Sequence, residues 1–250
     1  MLALARALEA ERIRGVVEII PTLRQLGICF DRTLTSHARM REAVQAHVDE
    51  IESVRELPSR RFRLPVWYDD PWSAEIARMY QVPRNIEFVA EHNGTTVEGV
   101  IDAHTGTDFW IACVGFTPGC YFAYPVDASR QLTAPKYRTP RSHTPARAIS
   151  LAGLCTATYP VASPGGYQLI GRMAVNIYEP RPRNRAFPPD GVLFRAGDRH
   201  RYYAVSPLEY DDVWERVQRG EYPYEVEDAT FDVAAHLAGA AATDGTGGPR

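Results

Sequence analysis

Between Gly115 and Arg172 the chain contains GFTPGCYFAYPVD (residues 115–127), PKYRTPRSHTPARAISLAG (135–153) and TATYPVASPGGYQLIGR (156–172). Short apolar and β-branched runs alternate here with clusters of glycine and proline, the texture of a small β fold that turns a corner every few residues. Phe109 to Val114, Ala148 to Ala152, Tyr167 to Ile170, Val175 to Tyr178 and Arg199 to Val205 read as strands. Gly197-Asp198 lies between two such runs and predicts a tight hairpin turn. This half of the chain is expected to be a small barrel or a sandwich.

Upstream the texture is different. Leu2, Leu4, Ala5, Leu8 and Ile13 recur at helical spacing with charges between them, so residues 2–14 predict an amphipathic helix stopped by Gly15. Val16 to Ile20 and Leu26 to Phe30 read as two strands. Thr35 or Ser36 then caps a helix whose apolar stripe is Met40, Val44, Val48, Ile51 and Val54. Phe62, Leu64, Val66 and Tyr68 alternate with polar positions and Pro65, which predicts a half-buried strand at a sheet edge, where a missing N–H costs nothing. Asp70-Pro71 is an N-cap with proline at the first helical position, opening a helix with Trp72, Ile76, Met79 and Tyr80 inward. Asn85 to Glu91, stopped by Asn93-Gly94, and a helix opened by the capping box Thr95 to Glu98 and running toward His104 complete this part. Asp211 to Val217 predicts a short late helix. The glycine- and alanine-rich end from Gly239 has too little apolar surface to fold.

The 250 residues are 45% hydrophobic and 24% charged, the balance of an ordinary globular chain, and no apolar run approaches a bilayer span. The first residues carry no signal-peptide pattern, so a cytoplasmic location is expected. With 28 basic against 31 acidic residues there is no global positive field to draw nucleic acid. Cys29, Cys113, Cys120 and Cys155 stand singly, without a CxxC pair, and predict reduced, mostly buried thiols rather than a disulfide framework or a zinc site. No metal is expected.

Glycines let backbone amides approach a ligand closely, and successive N–H groups in tight turns form nests for carboxylate or phosphate oxygens. The glycine-proline clusters are therefore either corners of a β fold or the wall of a binding site. The three segments quoted above, in their order, resemble the family of the B-type subunit of 5-oxoprolinase, allophanate hydrolase subunit 1 and the Kip inhibitor of a histidine kinase. The same module forms half of the carboxyltransferase domain of urea carboxylase. The resemblance extends to Gly15 through Pro21, Phe30-Asp31, Leu64 through Tyr68 and Glu91 through Gly94, covering roughly residues 2–210.

The resemblance implies an α+β chain: a small N-terminal subdomain (1–105), a cyclophilin-like β-barrel with a C-terminal extension (106–237) and a disordered tail (238–250). It implies a subunit of an ATP-dependent enzyme that hydrolyses an amide or lactam, or transfers a carboxyl group. The site would be shared with a homologous partner, resembling the C-type subunit of 5-oxoprolinase or allophanate hydrolase subunit 2. There is no biotin-acceptor Met-Lys-Met and no P-loop, so biotin or ATP chemistry must come at least in part from another chain. His104, Arg141 and Arg172 become the expected catalytic residues, the histidine for acid–base work and the arginines as bidentate clamps on a small amide or carboxylate substrate. Gly115, Phe116, Pro118, Gly119, Thr156, Tyr159, Ser163, Pro164, Gly165 and Gly166 are the expected substrate-binding set.

The chain also departs from the family's pattern. Cys155 and Ala157 stand where glutamine and glycine are usual, Lys136 where arginine is, and Cys120 where an aromatic residue is. An added methyl at 157 narrows backbone approach, and the lost amide removes a donor and an acceptor. The resemblance starts at the family's first helix, without the strand that usually precedes it. It includes an insertion around Pro71 to Pro83 and an extension, Tyr210 to Leu237, of the urea carboxylase kind. Two other functions are open on this pattern: a regulator that blocks a histidine kinase, and a divergent stand-alone enzyme of specialised metabolism using the barrel pocket.

Overall fold

A computed structural model describes residues 1–51 and 53–244. The chain forms two compact units, Met1–Arg60 with Asp228 onward, and Arg61–Glu227.

In the first unit, helix α1 (Leu2–Glu11) ends where Arg12 turns left-handed, φ 50°, and strands β1 (Val16–Pro21) and β2 (Leu26–Phe30) form an antiparallel hairpin. Helix α2 (His37–Ile51) follows, its first turn tied down by the Ser36 hydroxyl, which accepts from the Arg39 amide at 3.2 Å. Leu4, Leu8 and Ala43 are the buried centre, with Ile19, Leu26, Ile28 and Val44 packed around them. These elements fall where the sequence puts them because each carries its own stop or cap. Strand β3 (Glu56–Tyr68) leaves this unit and enters the second.

In the second unit, α3 (Pro71–Met79) is capped by Asp70, whose carboxylate accepts from the Ser73 amide at 2.9 Å. Ile76 is buried, but Met79 faces out, 64% exposed, against the inward position expected for it. Helices α4 (Asn85–His92) and α5 (Val97–Thr105) follow, the latter capped by Thr96 rather than Thr95. Then come β4 (Phe109–Val114), β5 (Tyr121–Pro125), β6 (Arg141–Thr144), β7 (Ala148–Ala152), β8 (Cys155–Thr158), β9 (Ser163–Gly165), β10 (Gln168–Met173) and β11 (Arg199–Ala204). Helix α6 (Pro207–Arg219) is longer than the segment predicted, because Ser206 and Glu209 form a reciprocal capping box ahead of it. Strand β12 (Val226–Asp232) leads back to the first unit, where α7 (Val233–Asp244) ends the described chain. Of the tail 238–250, residues 238–244 belong to α7 and 245–250 lie outside the described residues.

Seven strands in the order β10-β7-β8-β5-β4-β11-β3 close into a barrel through a second pairing of β3 with β10. All the ladders are antiparallel except β11 with β3. The barrel choice among the two β folds is thereby settled, and β3 is no edge strand. It pairs with β11 along one side, and with β12 and then β10 along the other. Pro65 stands where that other side changes neighbour. Arg63 donates its amide to Glu225, while the β10 register begins at Val66, so the missing N–H falls in the gap between two ladders.

The interior is filled from alternate positions of the strands: Phe62, Leu64 and Val66, Ile111, Tyr121 and Ala123, Ile149 and Leu151, Ile170, Tyr202. Ile86, Val89, Ala90 and Val100 of α4 and α5 join the same core. That packing is why residues 61–105 go with the barrel, a different division from the boundary at 105 that the resemblance implies. Val175 to Tyr178 is not a strand, making a single bridge from Tyr178 to Val192. Gly197-Asp198 leads into β11 without forming a hairpin. Among the described residues no helix is long and apolar enough to cross a membrane.

Candidate functional site

Because Tyr121 and Ala123 of β5 point into the barrel, Phe122 between them points out, and its register partner on β8 is Ala157. Over this outer face lies a cavity of about 310 Å³, lined by Phe116, Cys120, Phe122, Lys136, Tyr137, Pro140, Ala157, Tyr159, Pro164, Gly165, Gly166 and Tyr167. The two-stranded ribbon β6–β9 and the segment 135–140 supply much of its wall. A second cavity, about 520 Å³, shares Lys136, Tyr137 and Pro140 with the first and extends toward Tyr80 and Phe88.

No carboxylate lines the first cavity, and behind its wall stands the most unusual side chain of the fold. Arg141 is fully buried. Its Nε donates to the Thr144 hydroxyl at 3.3 Å, and its guanidinium lies 4.5 Å from the centre of the Tyr137 ring. Nη1 and Nη2 have no hydrogen-bond partner among the described residues. These donors carry the guanidinium's charge, and no Asp or Glu pairs with it among the described residues. Such a group is costly unless an anion completes it. The Ser163 hydroxyl, in the strand that pairs with β6, is also buried and unpartnered among the described residues. The Tyr159 hydroxyl lies within the field of Arg141, which opposes the rise in its pKa that burial causes. Arg141 and Ser163 thus stand behind the cavity wall with hydrogen-bonding capacity unspent, and Tyr159, which lines the cavity, lies in the Arg141 field.

At the cavity's mouth Phe116 is 65% exposed and holds a left-handed backbone, φ 74°, a conformation that costs a bulky residue roughly 1–2 kcal/mol. A largely exposed ring kept in place by a strained turn, with Tyr159 edge-on at 6.4 Å, is the usual sign of a contact made with something else. Gly165 is fixed for a different reason: a Cβ there would sit 2.0 Å from the Tyr159 hydroxyl. Gly165→Ala must therefore displace Tyr159 into the cavity or away from Arg141. A stability loss of about 1–3 kcal/mol, measured by urea unfolding, is expected, together with loss of ligand binding. An unchanged unfolding midpoint would mean that Tyr159 moves freely and is no fixed part of the site.

Of the ten expected binding residues, Phe116, Tyr159, Pro164, Gly165 and Gly166 line the cavity. Gly115, Pro118 and Gly119 belong to the turn beneath Phe116. Gly119 is needed there because its φ is 77° and a Cβ would meet the Tyr178 Cβ at 2.7 Å. Ser163 stands behind the wall, and Thr156 points into the barrel.

His104 is with Thr156 in the interior, not at the cavity. Its Nδ1 is 2.7 Å from the Tyr68 hydroxyl, its Nε2 is 3.0 Å from the Thr156 hydroxyl, and its ring stacks on Tyr202 at 4.3 Å. Burial holds its pKa down at about 3, so at neutral pH it is an uncharged core group sealed from any substrate in the cavity. Arg172 also stands apart, on β10, with its guanidinium 4.2 Å from the Trp72 ring in an aromatic group that includes Trp67 and Tyr210.

Burial pushes the thiols of Cys120 and Cys155 up to about 12, which leaves both protonated and unsuited to nucleophilic attack. Cys113 is half-buried, and Cys29 is exposed against the expectation of mostly buried thiols. Among the described residues no group of three or more His, Cys, Asp or Glu side chains could hold a metal ion.

The sequence did not single out Phe122, Tyr137 or Tyr167 as lining residues. The available signal was the alternation in Tyr121-Phe-Ala-Tyr124, which marks Phe122 as facing away from its neighbours.

The closed barrel thus carries an aromatic cavity beside a buried guanidinium whose Nη1 and Nη2 have no hydrogen-bond partner among the described residues. The chain belongs to the family described as carboxyltransferase domain, subdomain C and D, whose model matches residues 1–188. It is 28% identical to the B-type subunit of 5-oxoprolinase from Bacillus subtilis over 83% of each chain. It is 33% identical to a candidate urea carboxylase of Emericella nidulans over 72% of this chain and 15% of that one. The crystal structure of the Kluyveromyces lactis urea carboxylase superposes over 99% of this chain and 24% of that one, with a TM-score of 0.85 at 23% identity, a likeness of fold. The chain thus spans a small part of the two urea carboxylases and most of the bacterial subunit.

Proposed function

We propose that this chain is a cytoplasmic subunit of an ATP-dependent enzyme that hydrolyses an amide or lactam, or transfers a carboxyl group, and that it works with a homologous companion. The observation that carries the reading is Arg141. A buried guanidinium with two open donors, next to a cavity without a carboxylate, is suited to an anionic substrate or to the anion that develops when an amide carbonyl is attacked. The names of the relatives supply the reaction class: a 5-oxoprolinase opens a cyclic amide, and a urea carboxylase carboxylates a small one. In this reading the substrate occupies the cavity, with Arg141, Ser163 and Tyr159 at its anionic end and Phe116 and the glycines 165 and 166 at its wall. His104 and Arg172 act as packing groups. ATP chemistry comes at least in part from the companion.

The test is co-expression with the companion subunit from the same genome, followed by assay of ATP hydrolysis with 5-oxoproline, urea and other small amides. ATP turnover that needs both subunits and a substrate is the expected result. A complex that forms but stays silent across cyclic and linear amides, or a chain that partners a histidine kinase instead, would refute the proposal.

A further inference from the structure

We infer that the cavity is built for a carboxylate whose body is a flat apolar ring, an aromatic or unsaturated cyclic acid, in preference to a small, fully polar amide. The inference rests on the reading of this cavity as the substrate site, and it adds the substrate class.

Size argues first. A volume of about 310 Å³ is at the lower end of cavities that hold whole organic ligands, and room for about ten waters far exceeds what urea fills. The lining argues second. Phe116, Phe122, Pro140, Ala157 and Pro164 offer no hydrogen bond from their side chains, and the Cys120 thiol is a weak donor. Two pairs of rings set the slot: Phe122 with Tyr167, centroids 6.5 Å apart and planes at 65°, and Phe116 with Tyr159, 6.4 Å apart at 83°. A planar ring meets faces and edges there, the arrangements aromatic pairs prefer.

The hydroxyl of Tyr137 is already engaged with Asn85, at 2.6 and 2.9 Å, so it is not held in reserve for a polar ligand. A small amide would satisfy its own donors and acceptors at one end and leave the apolar remainder facing water, which wastes most of the available contact.

Charge argues third. The cations at the cavity are Lys136, whose Nζ lies 5.1 Å from the Tyr167 ring centre, and Arg141 behind Tyr137. With no Asp or Glu in the lining, the field of Lys136 and Arg141 selects a negative head. The Tyr137 ring and the Tyr159 hydroxyl, which fills the space beside Gly165, lie between the Arg141 guanidinium and the cavity, so Arg141 acts on the ligand's head through its charge and through Tyr159. A carboxylate at the Arg141 end then leaves its ring lying between Phe122, Tyr167 and Phe116. The methyl of Ala157 completes the apolar floor.

The test is calorimetric titration of the full chain with benzoate, phenylacetate, acetate, L-5-oxoproline and urea, with amide chemical shifts of Gly165 and Gly166 followed in nitrogen-labelled protein. Benzoate or phenylacetate is expected to bind about tenfold or more tightly than acetate, the gain from burying a ring, and more tightly than 5-oxoproline or urea, with shifts at both glycines. Arg141→Met should weaken binding about tenfold or more. Phe116→Gly, which removes the ring and the backbone strain together, should weaken it without lowering the melting temperature. If 5-oxoproline or urea binds as tightly as benzoate and depends equally on Arg141, the ring preference is overturned while the site reading survives. If benzoate binds Arg141→Met undiminished, the charge of Arg141 does not hold the carboxylate and that part of the proposal is wrong. If no probe shifts Gly165 and Gly166, both the substrate class and the site reading fail.

Discussion

Arg141→Met is expected to raise the melting temperature of this chain and, in the complex proposed above, to cut turnover about a hundredfold or more. The two effects have one cause. In the wild type, Nη1 and Nη2 are buried without partners among the described residues, and each unsatisfied donor costs about 1–3 kcal/mol, more when charged. Methionine fills a similar volume with nothing to desolvate, and buried charges replaced by apolar side chains of similar size are often neutral or stabilising. The lost bond from Nε to Thr144 at 3.3 Å offsets part of the gain. A net stabilisation of about 1–3 kcal/mol is expected, which for a chain of this size is several degrees in melting temperature. Turnover should fall by about two orders of magnitude or more, the usual cost of removing a preorganised donor from a developing anion. Arg141→Lys should fall between the two, since it keeps a charge and loses the planar fork. If Arg141→Met melts lower than wild type, the guanidinium is a structural tie between Tyr137 and Thr144, and its open donors signify nothing for catalysis.

What was legible in the sequence follows from how local each signal is. The cap at Asp70 and the strand pair 16–20 and 26–30 depend on residues within a few positions of one another, whereas the box at Ser206 and Glu209 is equally local but absent from the sequence reading, which makes that helix too short. The family resemblance identified the barrel, but β6 and β9 were invisible as strands. Arg-Ser-His-Thr and Ser-Pro-Gly carry no alternation and form a ladder only because each finds the other across some twenty residues. Arg141 and Arg172 look alike in sequence, each an arginine beside glycine or proline. Only the fold distinguishes the one stacked on Trp72 at the outer side of β10 from the one closed in without a counter-ion. His104 misled for a related reason. A histidine in the last turn of a helix reads as exposed or catalytic, and nothing local reveals that this helix end enters the barrel between Tyr68, Thr156 and Tyr202.

That burial is expected to make the barrel acid-sensitive below pH 6.5. His104 faces Tyr68, Thr156, Phe109 and Tyr202, and His200 faces Phe109, Tyr121, Phe194 and Tyr202, so neither has an anionic neighbour among these groups. Burial lowers both pKa values, to about 3 for His104 and well below the usual value for His200, where the other histidine adds to the effect. Above pH 6.5 both are neutral whether folded or unfolded, and stability does not depend on them. Below 6.5 the unfolded chain binds protons that the folded one refuses, so stability falls with falling pH until the folded values are reached. By pH 5 each histidine is expected to have cost about 2 kcal/mol.

His200 gives the cleaner test because neither of its ring nitrogens has a hydrogen-bond partner among the described residues, so His200→Phe removes titration without breaking a bond. Urea unfolding of wild type and His200→Phe at pH 7.5 and pH 5 should show the variant losing about half as much stability as wild type over that interval, with the two closest in stability at the higher pH. Equal losses in the two proteins would mean that the ring at position 200 takes up its proton inside the fold, and that the barrel interior is far more polar than its aromatic walls imply.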